Sequence, residues 1–131
     1  MVGNWKLNVK LSNFGTAADT APKAILLNVT SDTPDLVAFQ TTYTSANGMQ
    51  FTWKFSGPAD GKDHAADGTA TTYAYTHDGD TVTETQKDTD GTLTKGTFTL
   101  SANKKLGTWN YTITDPQGAI TTQKMVFDRV P

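Results

Sequence analysis

Cysteine is absent from this chain of 131 residues, which removes disulfides, thiolate nucleophiles and zinc–thiolate sites together. The absence suits reducing and oxidising compartments equally, so it leaves location open. Long apolar runs are missing too. Nothing approaches the roughly 20 residues of a membrane helix, and no charged stretch leads into an apolar one as in a secretory signal. Membrane insertion is therefore not expected. Positive charge is thin: Arg129 is the one arginine, the lysines stand singly apart from Lys104-Lys105, and the formal net charge is −2. With no basic stripe to neutralise a phosphate backbone, nucleic acid is not expected as a partner. Gly-x-Ser-x-Gly, a glycine-rich phosphate loop and a paired-carboxylate motif are all lacking. Hydrolase and nucleotide chemistry of the standard kinds is left without support.

What the chain has in excess is threonine, about a fifth of its residues. With tyrosine, phenylalanine and tryptophan it suits a pleated surface with one wet face, and the length suits one domain, residues 1–131, with a real core. Period-two alternation begins at once, with Trp5, Leu7, Val9 and Leu11 on one face. It resumes at Ile25, Leu27 and Val29, then at Val37, Phe39, Thr41 and Tyr43, and at Met49, Phe51, Trp53 and Phe55. Further runs set Thr71, Tyr73, Tyr75 and His77 together, and later Trp109, Tyr111 and Ile113. Turn chemistry separates them: Asp32-Thr33-Pro34-Asp35, Ala46-Asn47-Gly48, Asp78-Gly79-Asp80, Thr89-Asp90-Gly91 and Asp115-Pro116-Gln117-Gly118. Two stretches lack periodicity: 12–23, a lid-like loop or short helical turn, and 57–68, a long loop. In 92–100 the apolar parity switches between Leu93 and Phe98, which predicts a β-bulge at Gly96.

About nine strands at regular spacing describe an all-β meander. A meander this long removes its edges most simply by closing into an antiparallel up-and-down barrel of about 8–10 strands.

Three short motifs carry a resemblance. The opening Gly3-Asn4-Trp5-Lys6-Leu7-Asn8 is followed by Ser12-Asn13-Phe14, a loop reads Asp60-Gly61-Lys62-Asp63-His64, and the chain ends on Phe127-Asp128-Arg129. In this order they resemble a group of small, mostly uncharacterised bacterial lipocalin-like proteins of the calycin β-barrels, over essentially the whole chain. Leu11 stands where that pattern has lysine, and Ala65 where proline often follows the loop aromatic. The resemblance implies binding or transport of an apolar molecule, no reaction and no cofactor, and it implies export. It also implies that Trp5 packs under Arg129, closing one end of the barrel. The alternative for Arg129 is a clamp on a ligand carboxylate.

The candidate ligand-binding residues are Phe39, Tyr43, Phe51, Trp53, Tyr73, Tyr75, Trp109 and Tyr111. Facing inward, they would make an amphipathic cavity for a small hydrophobic or aromatic ligand; otherwise they would fill a solid core. Glu84, the one glutamate, reads as a solvated strand carboxylate. Placed inside an apolar barrel it would instead titrate high and serve as a general base, and a cofactor-free enzyme that uses the barrel pocket with Glu84 or a tyrosine as acid or base is the alternative function. His64 and His77, with Asp60, Asp63 and Asp67, have no spacing that sets two imidazoles on one ion, so no metal site is expected.

Overall fold

The computed structural model describes residues 1–131. Its strands are β1 (Gly3–Leu7), β2 (Ala24–Asp32), β3 (Val37–Thr44), β4 (Gln50–Gly57), β5 (His64–Ala65), β6 (Thr72–Asp78), β7 (Thr81–Lys87), β8 (Leu93–Leu100), β9 (Leu106–Thr114) and β10 (Ile120–Val130). All ten belong to one antiparallel sheet in the order β4-β3-β2-β1-β10-β9-β8-β7-β6-β5. The first and last long strands are neighbours, Asn4 opposite Val130 through Leu7 opposite Phe127. Closure therefore takes place where the chain begins and ends.

The seam lies elsewhere. Between β4 and the β5 segment the wall is joined by a single residue pair, Lys54 and Asp67, whose backbones exchange hydrogen bonds of 2.9 and 2.8 Å. The barrel is thus nearly closed, with a slit along β4.

Two local expectations change, and in a third place one of two open alternatives is realised. The 57–68 stretch is not all loop, since His64–Ala65 pairs with Tyr73 and Thr72. Within 12–23, residues Gly15–Thr20 form a 3-10 helix, tethered to β10 by the Asn13–Lys124 backbone pair at 2.7 Å each way. Gly96 carries no bulge: β8 runs in unbroken register from Leu93 opposite Thr114 to Leu100 opposite Gly107. Thr94, Gly96, Phe98 and Leu100 share the inward parity, and Leu93 is the exception, a half-buried residue on the outer face. The register shift falls instead between Val29 and Ser31 of β2.

The two ends of the barrel differ. One, the floor, is packed solid around Trp5, which is 1% exposed. Phe98 meets the Trp5 ring edge-on at 6.1 Å and lies tilted against Trp109 at 5.1 Å. The Trp5 Nε1–H donates to the Met1 carbonyl at 2.8 Å, so the one polar atom of the indole is satisfied. Arg129 lies across the ring with its guanidinium carbon 4.4 Å from the centroid, and donates to the carbonyls of Lys104 (3.0 Å) and Val2 (2.8 Å). Close approach of this side chain requires Gly3: with φ at +135°, a Cβ there would stand 2.8 Å from an Arg129 terminal nitrogen. The opposite end, the mouth, is ringed by the Ser45–Met49, Asp88–Thr92 and Asp115–Ala119 turns and by the 3-10 helix.

Candidate functional site

Above the floor the interior is hollow. A cavity of about 240 Å³ is lined by Phe39, Tyr43, Trp53, Tyr73, Tyr75, Trp109, Tyr111 and Phe127, with aliphatic residues of β2 among those completing the wall. At the roughly 30 Å³ that one water occupies in the liquid, about eight waters would fill it. The aromatic walls are ordered. Tyr73 and Tyr75 stack at 6.2 Å with planes 5° apart, and Phe39 stands edge-on to both at 6.1 and 6.0 Å. Trp109 and Tyr111 stack at 5.4 Å across from them.

Phe51 does not join this wall. It is 49% exposed and absent from the cavity lining, although its parity matches Trp53 and Phe55. It sits second in β4, the strand beside the slit, opposite Tyr43 at the mouth, where too little wall remains to cover it. Arg129 also lies outside the cavity. Its position over Trp5 at the floor leaves it no route to a ligand carboxylate inside the barrel.

Glu84 is the main departure from expectation. The solvated reading fails, because the residue is 4% exposed and lines the cavity. Val82, Glu84 and Gln86 face inward and the threonines between them face out. Cross-strand register then explains the surroundings of the carboxylate. Tyr75 of β6 is opposite Glu84, Glu84 is opposite Gly96 of β8, and Gly96 is opposite Tyr111 of β9. A Cβ at Gly96 would come within 2.5 Å of the Tyr111 ring and 3.2 Å of Trp109. The bare glycine therefore lets Tyr111 lie across β8 toward Glu84.

Three neighbours attend the carboxylate. The Tyr75 hydroxyl donates to Oε2 at 2.5 Å, Gln86 Nε2 donates to Oε1, and the Tyr111 phenol approaches from across Gly96 and helps hold the charge. None of these partners is a cation. Burial dominates and pushes the Glu84 carboxyl above its ordinary range, against the pull of the hydrogen bonds from Gln86, Tyr75 and Tyr111. The same burial, then the Glu84 charge, drives the phenols of Tyr75 and Tyr111 well above theirs. Tyr73 rises for the same reasons, with Asp88 adding to Glu84, and Tyr43 rises by burial. One donor on the wall is unanswered: the buried Trp53 Nε1–H has no acceptor in hydrogen-bond geometry, with the Tyr73 phenol as its nearby polar neighbour.

The histidines and loop aspartates are held apart on separate partners. His64 Nε2 is 2.9 Å from Asp60, and Asp63 pairs with Lys87 at 2.7 Å. His77 Nε2 lies 2.7 Å from Asp32, whose other oxygen takes the Met1 ammonium at 2.9 Å. Asp67 contributes backbone to the slit. No three of these side chains converge as a metal-ligand set.

Two features of the site were missed in the sequence, Gln86 and the space left by Gly96. The signal for both was present as hairpin register, since aligning β7, β8 and β9 sets Glu84, Gly96 and Tyr111 in one row.

The fold is similar to that of solved structures. One is the REP1-NXSQ fatty acid transporter, 14% identical, covering 99% of this chain and 96% of that one with a TM-score of 0.60. Another is secretory abundant heat soluble protein 4 from Ramazzottius varieornatus, 17% identical, covering 99% and 94% with a TM-score of 0.61. At these identities the likeness establishes the barrel and nothing finer. No protein-family model matches the chain, and no curated protein matches it.

Proposed function

We propose that this barrel binds or carries a small apolar or aromatic molecule in its cavity and performs no chemistry on it. The observation that carries the reading is a hollow interior with eight aromatic side chains on its wall. A chain of this size that needed only stability would fill that space with leucine and valine, because each buried phenol must find a partner. A cavity of about 240 Å³ exceeds the roughly 150 Å³ that holds benzene, so it suits a molecule of one or two rings. That one structural neighbour is named a fatty acid transporter agrees with a guest inside the barrel. The finer placement, among the bacterial lipocalin-like calycins, rests on the Gly3-Asn4-Trp5 opening and the Phe127-Asp128-Arg129 ending.

Trp53 and Trp109 on the wall supply a built-in reporter. Titration with 4-nitroanisole, a neutral one-ring quencher, is expected to quench tryptophan emission along a saturable one-to-one curve. Quenching that stays linear in quencher concentration, as for random collision, would overturn the reading. Acid–base catalysis by Glu84, the second reading, draws support from its burial and raised pKa. It is the weaker of the two, because both carboxylate oxygens already accept hydrogen bonds from the wall.

A further inference from the structure

We infer that the ligand is a protonated amine on an aromatic or apolar body, with its ammonium against Glu84. This rests on the binding role above and names the class of guest. Glu84 is the only ionisable side chain on the cavity wall apart from the tyrosines; no lysine, arginine or histidine side chain joins it, and Met1, which also lines the cavity, has its ammonium paired with Asp32. The nearest other charges lie toward the floor, where the Met1 ammonium and His77 both pair with Asp32, and Asp88, at the mouth end of β7, accepts from Thr71.

Buried carboxylates are ordinarily paired with a cation. This one is given hydrogen-bond donors but no countercharge. An ionised carboxylate offers about four acceptor sites; Tyr75 and Gln86 fill two, with the Tyr111 phenol nearby. Acceptor capacity remains for a donor from the cavity. Tyr73, Tyr75, Trp109 and Tyr111 line the same cavity, and a cation over an aromatic face gains further attraction. A ligand headed by a carboxylate meets the reverse situation: the Met1 ammonium is already taken by Asp32, no other cation lines the cavity, and the like charge of Glu84 repels it. The cavity is therefore matched against fatty acids and toward amines, although a structural neighbour is named for fatty acid transport.

Calorimetry with three molecules of one shape decides the matter: 2-phenylethylamine, 2-phenylethanol and 3-phenylpropanoate, at pH 7. The amine is expected to bind at least tenfold more tightly than the alcohol, with the carboxylate weakest. In Glu84→Gln the amine and the alcohol should come within about threefold of one another. Because that variant could disturb the wall, the wild-type protein supplies a second readout. Amine affinity should rise with pH through the Glu84 titration while alcohol affinity stays flat, both ligands keeping their own charge between pH 4 and 8. Equal or tighter binding of the alcohol or the carboxylate overturns the inference, as does a flat pH profile for the amine. If 4-nitroanisole saturates the protein and the amine shows no preference, the amine assignment fails alone. If nothing binds, the cavity reading fails with it.

Discussion

The floor and the mouth of this barrel are built from the same residue types and do different work. At the floor, Trp5 and Phe98 are locked edge to face with every polar atom of the indole answered and Arg129 laid over it. Toward the mouth, tyrosines and two tryptophans surround empty space, a carboxylate lacks a countercharge and an indole N–H lacks an acceptor. Aromatic content alone therefore does not distinguish a core from a binding site. What distinguishes them is whether the polar groups are satisfied from within the protein.

That contrast breaks most sharply at its solid end. Trp5→Ala should cost about 3–5 kcal/mol, read by urea unfolding, and leave the affinity of any folded fraction for 4-nitroanisole within about twofold. Gly96→Ala sits on the hollow side. The new methyl must displace the Tyr111 ring, at a cost of about 1–3 kcal/mol, and should weaken amine binding at least tenfold by moving the phenol off Glu84. Arg129→Met removes the guanidinium from the indole and frees two carbonyls to solvent, for about 1–2 kcal/mol. Binding should be untouched; a loss of affinity for 3-phenylpropanoate would show Arg129 reaching the cavity after all.

A subtler separation uses pH. Burial raises the folded-state pKa of Glu84 above its ordinary 4.5, so the protonated form is favoured on folding. Its contribution to stability is fully present below pH 4.5 and is lost as pH rises through the folded value. Wild-type unfolding free energy should therefore fall across that window relative to Glu84→Gln, and parallel profiles would show the carboxylate to be wet. Smallest of all, Phe51→Ser at the exposed rim should change stability by no more than about 0.5 kcal/mol and leave ligand affinity unchanged.

Much of this was legible in the residues. Alternation places Tyr73 with Tyr75, Trp109 with Tyr111, and Phe39 with Tyr43, because the side-chain period of a strand is two whatever surrounds it. Adjacency of β1 and β10 follows from a meander that must hide its edges. Parity fails where it has no knowledge of the wall's extent: Phe51 points inward at a level where the barrel has run out. It also misleads at Leu93, an apolar residue on the outer face that imitates a bulge. Glu84 was illegible for a different reason. A lone carboxylate is expected in water unless something holds it, and of what attends it only Gln86 is close in sequence: Tyr75 comes from β6 and Tyr111 from β9, two strands further on.

The slit beside β4 has a mechanical consequence. A tube fastened along one line by the Lys54–Asp67 pair alone can gape sideways without disturbing any full ladder of strands, so a guest wider than the rim need not pass over it. The amide protons of Lys54 and Asp67 should then trade with deuterium sooner than their neighbours inside continuous ribbon, and a bound guest should slow that trade.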